Sequence, residues 1–354
     1  PESREGEIFF LKAKLPRRDG EKALAAAIPK EIPVHLPTPA PARSNLVRAY
    51  TRRPLLSPPL LFLLVTAAPL PLARERDAVV CVGGGGRREE EAAMEVMTHA
   101  STFLHPSLPA SQGDRPSPCT YALVVLNQSL PSFAPLLWKH AQLRVCADGG
   151  ANRVHDEMPL MFPHEDPFHV RKRYKPDVIK GDMDSIREEV KQFYSNLGTR
   201  IVDEAHDQDT TDLHKCVVFI RDCTPDLDKS NLCILVAGAL GGRFDHEVGN
   251  INILYLFSRI QIILLSDDCL IYLLPKTHHH EILVQSSVEG PHCGLIPVGA
   301  PSASTTTTGL QWDLHDMEMK FGGLISTSNI VRAEVVTVRS DSDLLWTISI
   351  RRPT

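Results

Sequence analysis

Short apolar runs alternate with segments of helical periodicity between about residues 118 and 267. The apolar runs predict strands at 121–127, 143–150, 177–184, 200–204, 232–240 and 261–267. The periodic segments predict helices at 132–141, 185–198, 210–222 and 243–259. Strands and helices that alternate in this way predict an α/β domain, in which helices cover both faces of a mostly parallel sheet.

The second of these helices begins with a capping pattern. Ser185 precedes the periodic segment, and Glu188 follows three residues later, which is the spacing of a capping box. Gly198 stands where the periodicity stops, and glycine commonly ends helices. The pattern therefore predicts a helix that Ser185 caps.

The periodicity changes after residue 267. Short segments rich in β-branched and aromatic residues follow one another with turn residues between them, and no clear helix separates them. This pattern predicts an all-β domain, a β-sandwich, over residues 268–354. The run His278-His279-His280 has no matched carboxylate or cysteine nearby in sequence, so we predict a solvated turn there and no metal site.

The first 93 residues differ from the rest of the chain. They contain proline clusters and a glycine run at 83–86, with little amphipathic periodicity, which predicts a disordered, low-complexity extension. The first methionine is Met94, so we interpret 1–93 as sequence upstream of the true start. An organellar transit peptide is the alternative, although early acidic residues argue against it. Prolines interrupt the apolar stretch 55–72, so we predict no membrane span.

Composition excludes some classes of function. A formal net charge of -5 gives no global electrostatic basis for nucleic-acid binding. None of the 8 cysteines forms a CxxC pair, which argues against a zinc site. Several cysteines lie inside apolar runs, and we interpret them as reduced thiols of an intracellular protein, with the cytosol as the predicted compartment.

Aspartates follow the predicted strands or begin the predicted helices. They are Asp148, Asp182, Asp184, Asp209 and Asp212. A single aspartate at such a place is most simply a cap or a turn residue. Ligands of parallel sheets bind at the carboxyl ends of the strands, and grouped carboxylates there repel one another unless a cation is present. The group therefore predicts a Mg²⁺ site that is shared with substrate phosphates.

The segment 207–215 has two interpretations of equal weight. Thr210 or Thr211 can cap the following helix, with Asp212 in its first turn, which explains the segment structurally. A helix N-terminus also binds phosphate, and Lys215 lies about one turn into this helix.

A glycine-rich strand-to-helix turn lies at 238–250. Such turns often cradle phosphate, but the segment has neither the Walker A spacing nor GxGxxG. Arg243 beside it is either a clamp on phosphate or a partner in a surface ion pair.

Seven segments in order resemble the eukaryotic thiamin pyrophosphokinase family. They are CADGGANR (146–153), KGDMDSI (180–186), DQDTTDLHKC (207–216), LGGRFDH (240–246), CGLIPVG (293–299), TTTGLQW (306–312) and GGLISTSN (322–329). The resemblance covers roughly residues 120–350, and the longer segment 158–176 is similar to the plant branch of the family.

The resemblance implies a reaction and an assembly. The β,γ-pyrophosphoryl group of ATP moves to the hydroxyl of thiamin, giving thiamin diphosphate and AMP. The family fold joins an α/β domain to a β-sandwich, and the enzyme works as a homodimer with active sites at the subunit interface. Nucleic acid and membrane are not expected partners.

The resemblance also implies residue roles. Mg²⁺ would be held by Asp148, Asp182, Asp184 and Asp212. ATP phosphates would be contacted by Gln208, Thr211, Lys215 and Arg243, with Asp245 orienting the last of these. Thiamin would be lined by Trp312, Ser326, Ser328 and Asn329.

Two rival functions fit the acidic group. One is another Mg²⁺-dependent nucleotide enzyme, such as a nucleotidyltransferase or a pyrophosphohydrolase. The other is a non-catalytic protein that binds thiamin or a nucleotide. The intact aspartates argue against the second, since a site without catalysis has no use for carboxylates that repel one another.

Overall fold

A computed structural model describes residues 94–105, 119–229 and 231–351. The predicted extension 1–93 lies outside the described residues. The strands in chain order are β1 (Glu95–Ala100), β2 (Thr120–Val125), β3 (Leu143–Ala147), β4 (Val178–Gly181), β5 (Arg200–Asp203), β6 (Leu232–Ala237), β7 (Gln261–Leu265), β8 (Cys269–Leu274), β9 (His278–Leu283), β10 (Glu289–Ile296), β11 (Ser302–Thr308), β12 (Met317–Met319), β13 (Ser326–Ile330), β14 (Val335–Ser340) and β15 (Leu344–Ile350). The helices are α1 (Ala134–His140), α2 (Gly150–Glu157), α3 (Pro167–Arg173), α4 (Glu188–Asn196), α5 (Asp212–Asp222) and α6 (Phe244–Leu256), with 3-10 turns at Thr102–Leu104 and Met158–Met161.

The strands form two sheets. The larger has the order β13-β10-β15-β8-β7-β6-β2-β3-β4-β5, in which β2 to β7 are parallel and β8 continues antiparallel from β7. The smaller has the order β1-β9-β14-β11-β12. The predicted fold class, a parallel α/β part followed by a β-rich part, is confirmed. The larger sheet runs without a break through both parts.

Strand β2 illustrates how the sheet is buried on both faces. Tyr121, Leu123 and Val125 pack into a core with residues of α1, α2, α4 and the smaller sheet. Their neighbours Ala122 and Val124 pack into a second core against α5 and α6. Alternate side chains of a strand point to opposite faces, so an uninterrupted apolar run is what a sheet covered on both faces requires.

The sequence patterns missed two helices. The apolar run predicted as strand 143–150 ends at Ala147, and α2 begins at Gly150. Helix α3 lies in the segment 158–176, where Asp166 caps it by accepting N–H bonds from Phe168 and His169. The two helices have only 8 and 7 residues, so each repeats its pattern over about two turns, which is too short to stand out in the sequence.

The prediction that Ser185 caps the following helix is wrong. Helix α4 begins at Glu188, with Arg187 in the cap position. The backbone N–H groups of Ser185 and Ile186 donate instead to the carboxylate of Asp148, at 2.8 and 3.1 Å. This contact joins the loop after β3 to the loop after β4, and α4 begins only after it.

The predicted histidine turn at 278–280 is also wrong. These residues begin β9, which pairs with β14 and, in parallel, with β1. His280 is buried, and its Nδ1 lies 3.0 Å from Nε2 of His99 on β1. The partner strand lies about 180 residues away in sequence, so local pattern could not indicate it. No helix within the described ranges has the length and apolarity needed to cross a membrane.

Candidate active site

Asp148 directly follows β3 and anchors the site. Its φ of 41° lies in the left-handed region, which turns the chain sharply at the end of the strand. The buried carboxylate accepts the N–H groups of Ser185 and Ile186. Burial raises the pKa of Asp148, and the nearby charges of Asp182 and Asp184 act in the same direction.

Asp182 and Asp184 follow the neighbouring strand β4. Met183 between them has a φ of 63°, so the chain turns here as well. One carboxylate oxygen from each of Asp148, Asp182 and Asp184 lies within 4.8 Å of the others. The structure therefore brings together three of the five aspartates at the carboxyl ends of two adjacent parallel strands.

Gly181 makes this convergence possible. A Cβ at this position would lie 2.6 Å from Cβ of Asp148 and 2.9 Å from Oδ1 of Asp212. Both distances are shorter than a normal contact, so a side chain would push the two aspartates away from the end of β4. A glycine at this position lets side chains from β3 and α5 approach the same point.

Asp212, the first residue of α5, completes the acidic group. Its Oδ1 is buried and has no hydrogen-bond partner among the described residues, while Nζ of Lys215 lies 3.8 Å away. Burial, followed by the charges of Asp182 and Asp148, raises the pKa of Asp212 to about 6. We call Asp148, Asp182, Asp184 and Asp212 the acidic cluster.

The acidic cluster fits a hard divalent cation. Carboxylate oxygens are the ligands that Mg²⁺ prefers, and Mg²⁺ usually shares a few of them with substrate phosphates. The unpartnered Oδ1 of Asp212 is a buried acceptor that such a cation would satisfy. Burial is the main cause of the raised pKa values of Asp148 and Asp212, and repulsion among the carboxylates adds to it; a cation would relieve that repulsion.

The predicted phosphate contacts around α5 lie in different environments. Thr211 caps the helix by accepting the N–H of His214 at 3.2 Å, and Lys215 is buried one turn later beside Asp212. Gln208 is exposed, and its side-chain amide donates to the carbonyl of Ala205 at 3.0 Å. Both interpretations of 207–215 thus stay open, because a cap and a phosphate site can use the same helix end.

Arg243 and Asp245 lie at the start of α6 and bond to each other. Arg243 Nε donates to Asp245 Oδ1 at 3.1 Å, and a second guanidinium N–H donates to Oδ2. Both side chains are exposed, and the contacts of the described residues do not link this pair to the acidic cluster. The surface ion pair is therefore present, as one of the two interpretations of Arg243 expected.

Three of the four predicted thiamin residues are connected in the β-rich part. The amide of Asn329 accepts the N–H of Trp312 at 3.2 Å and donates to its carbonyl at 2.9 Å. It also donates to Oγ of Ser326 at 3.3 Å. Asn329 is buried, whereas the Trp312 side chain is exposed. Ser328 is exposed with a φ of 58°.

The sequence reasoning missed two residues at the end of β2. A Cβ on Gly242 would lie 2.5 Å from Nε2 of Gln128, which places this amide against the glycine-rich turn. Asn127 accepts a hydrogen bond from Nε of Arg153 at 3.0 Å. The strand order of the structure points to them, because β2 lies between β3 and β6 and ligands bind where the strand order reverses.

Comparison with known proteins identifies the family. Residues 134–264 match the thiamin pyrophosphokinase catalytic domain, and residues 279–345 match the vitamin B1 binding domain of the same family. The chain belongs to the thiamin pyrophosphokinase family. The resemblance carried by the seven motifs is confirmed. The predicted domain ranges 118–267 and 268–354 contain these matches, and their boundaries stay predictions.

Curated plant relatives support this assignment over nearly their whole length. The chain is 67% identical to thiamine pyrophosphokinase 1 of Arabidopsis thaliana over 261 residues, which cover 74% of this chain and 96% of the relative. It is 68% identical to thiamine pyrophosphokinase 1 of rice (Oryza sativa subsp. japonica) over 263 residues, covering 73% and 99%.

Solved structures of the family share the fold. The structure of yeast thiamin pyrophosphokinase matches with a TM-score of 0.60 at 24% identity, over 74% of this chain and 93% of that chain. Thiamin pyrophosphokinase from Candida albicans matches with a TM-score of 0.56 at 26% identity, over 66% and 90%.

Proposed function

We propose that the acidic cluster holds Mg²⁺ on the phosphates of ATP while this enzyme transfers the pyrophosphoryl group to thiamin. The observation that carries the proposal is the convergence of Asp148, Asp182 and Asp184 at the end of two parallel strands. The family supplies the reaction, whose products are thiamin diphosphate and AMP.

In this reaction the hydroxyl oxygen of thiamin forms a bond to the β-phosphorus of ATP. The bond between that phosphorus and the oxygen bridging to the α-phosphate breaks, and AMP leaves with the bridging oxygen. An aspartate of the acidic cluster accepts the hydroxyl proton. Catalysis of phosphoryl transfer is chiefly positioning and charge neutralisation, and Mg²⁺ would supply neutralisation at the phosphate oxygens.

The chain's own cations act on the same phosphates. The Lys215 ammonium is buried beside Asp212, where low solvent exposure strengthens its attraction for a phosphate oxygen. Gln208 and Thr211 lie in the segment that leads into α5 and would contact phosphate or water. Arg243 would exchange its partner Asp245 for phosphate, which requires only an exposed ion pair to open.

The thiamin site is proposed around the loop that Asn329 anchors. The Asn329 side-chain amide forms hydrogen bonds to the backbone N–H and carbonyl of Trp312. Its role is therefore to hold the exposed indole in place. An indole face attracts the cationic ring of thiamin. Ser326 and Ser328 would offer hydroxyl groups beside it.

A homodimer with sites at its interface completes the proposal. Helix α6 exposes Phe244, Val248 and Leu256, of which Phe244 is 77% exposed. Exposed apolar side chains grouped on one element are typical of surfaces that bind another protein. We also propose the cytosol as the compartment, supported by the free cysteines of the described residues.

A product assay tests the function. Purified chain is mixed with ATP, Mg²⁺ and thiamin, and nucleotides and thiamin species are separated by chromatography. We expect AMP and thiamin diphosphate in equal amounts, and neither product without thiamin. AMP formed without thiamin would indicate a pyrophosphohydrolase, and no turnover by folded protein would favour a binding protein.

A further inference from the structure

Lys180 is a buried cation in the strand that leads into the acidic cluster. It is the penultimate residue of β4, and its side chain is 6% exposed. The ammonium forms an ion pair with Glu204, and it lies 5.5 Å from the centre of the Phe219 ring on α5. Neither the predicted metal site nor the predicted phosphate site uses this group.

The backbone around Lys180 joins the elements that carry the cluster. The carbonyl of Lys180 accepts the N–H of Asp148 at 2.9 Å and lies 3.9 Å from Sγ of Cys216 on α5. Glu204 donates its N–H to the carbonyl of Gly181 at 2.8 Å, at the end of β5. The ion pair therefore joins β4 to the residue that follows β5, and the Lys180 ammonium faces Phe219 of α5.

A buried lysine is a poor way to gain stability. The Lys180 side chain is 6% exposed and its partner Glu204 26%, so the lysine loses its hydration for an attraction that the solvent near Glu204 weakens, and an apolar side chain of similar size would serve the core at least as well. A lysine in the interior of β4 therefore requires an explanation other than packing. Lys180 lies one residue before Gly181 and two before Asp182. This position suggests that it orders the residues around the metal site.

We propose that the Lys180–Glu204 pair positions α5 against the ends of β4 and β5, so that Asp212 and Lys215 face Asp182. The inference rests on the proposed function and adds positioning residues to it. Some groups orient metal ligands without contacting the metal. Removing such a group typically lowers metal affinity 10- to 100-fold. Lys180 touches neither substrate nor metal in this proposal.

The test measures metal binding separately from turnover. Free Mn²⁺, a probe for the Mg²⁺ site, is followed by its EPR signal during titration of the full chain. We expect Lys180→Met to raise the Mn²⁺ dissociation constant about 10-fold or more. Lys180→Arg should restore most of the affinity because it keeps the charge. The KM for ATP should rise in Lys180→Met while the KM for thiamin changes less than twofold.

Lys175→Met is the matched control. Lys175 lies before the other end of β4, is half-buried, and donates to the carbonyl of Leu197 at 3.3 Å. It should leave Mn²⁺ binding unchanged. Where Lys180→Met does not fold, Glu204→Gln decides, because it removes one charge with little change in shape.

The outcomes separate this inference from the proposed function. Wild-type Mn²⁺ affinity in folded Lys180→Met, or in Glu204→Gln, would overturn the positioning role. A wild-type chain that makes no thiamin diphosphate would overturn the proposed function instead. A wild-type chain that makes thiamin diphosphate but binds no Mn²⁺ would overturn the metal assignment and this inference with it.

Discussion

Asp148 and Asp184 lie in one cluster but differ in what surrounds them. Asp148 is buried and holds two backbone N–H groups, so it also fixes the loop that carries Asp184. Asp184 is exposed, and its carboxylate accepts the hydroxyl of Ser185 at 2.7 Å. A change at Asp148 therefore mixes structure with chemistry, whereas a change at Asp184 separates them.

We expect Asp184→Asn to lose most of the activity while the fold survives. The asparagine amide keeps the size of the side chain but lacks the negative charge that would bind the metal cation. Turnover should therefore fall on the order of 100-fold or more. The free energy of unfolding should change by less than about 0.5 kcal/mol, as for most exposed positions. Product assays and urea unfolding check the two expectations.

Asp226→Asn is the control for this substitution. Asp226 is exposed in the turn after α5, so the same chemical change there should alter neither quantity. Near-normal turnover of Asp184→Asn would remove Asp184 from the metal site.

Gly181→Ala should damage both stability and activity. The added Cβ would meet Asp148 and Asp212 at distances below 3 Å, so both side chains would have to move. Forcing an extra methyl into a packed site typically costs about 1–3 kcal/mol. Urea unfolding and the product assay measure the two losses together.

Gly249→Ala provides the comparison. A Cβ on Gly249 of α6 meets no atom within 4 Å, and alanine favours a helix by up to about 1 kcal/mol over glycine. Equal stability of Gly181→Ala and wild type would contradict the tight convergence at the end of β4.

Residue patterns predicted part of this site and missed part of it. The grouping of Asp148, Asp182 and Asp184 followed from a general rule, because parallel strands end at one edge of a sheet. The hydrogen bonds of Asp148 to Ser185 and Ile186 did not follow, because they depend on how two loops meet in space. The same holds for Asn329, whose amide binds the backbone of Trp312.

At the scale of elements, β1 and β9 form a parallel pair that encloses two histidines. His280 Nε2 contacts the carbonyl of Pro275 at 2.9 Å, which makes it a donor and leaves Nδ1 to accept from His99. His99 also stacks on Tyr272, with ring centres 4.8 Å apart. In this arrangement the His280 ring is neutral, because its Nδ1 carries no proton.

Burial of these rings should make stability depend on pH. Burial lowers the pKa of His99 to about 3 and that of His280 to about 4, whereas unfolded histidine titrates near 6.5. Below pH 6.5 the unfolded chain therefore binds protons that the folded chain does not. The contribution is full above pH 6.5 and is lost as the pH falls towards 4, by roughly 1–2 kcal/mol per histidine between pH 7 and 5.

Urea unfolding of wild type and His280→Gln at pH 7 and 5 checks this expectation. The variant should lose less stability on acidification, because one of the two titrating groups is gone. His279→Gln, at the half-buried neighbouring position of β9, should keep the wild-type pH dependence. An equal loss in His280→Gln and wild type would show that other groups dominate.

The elements also mark the limit of local pattern. Helices with a clear apolar face, such as α5, and fully apolar strands, such as β6, were predicted within a few residues. The start of β9 was assigned to a turn, because its three histidines resemble a polar turn. Its pairing with β1 depends on a contact that joins distant parts of the chain.

At the scale of the whole molecule, the larger sheet joins the parallel α/β part to the β-rich part. Strand β8 pairs with β7, and β15 pairs with β8, so the parallel strands continue directly into the antiparallel ones. Periodicity predicted both classes of structure because each has its own repeat. The join itself is a local hairpin, because only residues 266–268 separate β7 from β8, but the apolar pattern of single strands does not specify which strands pair.

The first described residue is Met94, so a chain truncated at this point keeps every described strand and helix. The plant relatives match 261 residues of this chain, which is 96% of the Arabidopsis protein. A variant that begins at Met94 still contains that length, so we expect it to fold and to form thiamin diphosphate at the wild-type rate. Insolubility of this variant beside a soluble full chain would show that 1–93 are structural.

A variant that begins at residue 106 should behave differently. It lacks β1 and the following turn, and therefore loses the buried side chains of His99, Phe103 and Leu104. Each fully buried large apolar side chain contributes about 1.5–3 kcal/mol, so the loss amounts to several kcal/mol of a typical total of 5–15. His280 and Glu289 would also lose the partners His99 and Ser101. Thermal unfolding of the two truncated chains, measured side by side with the full chain, distinguishes a structural β1 from a dispensable one. Equal midpoints for the chains that start at 94 and 106 would contradict the role of β1 in the smaller sheet.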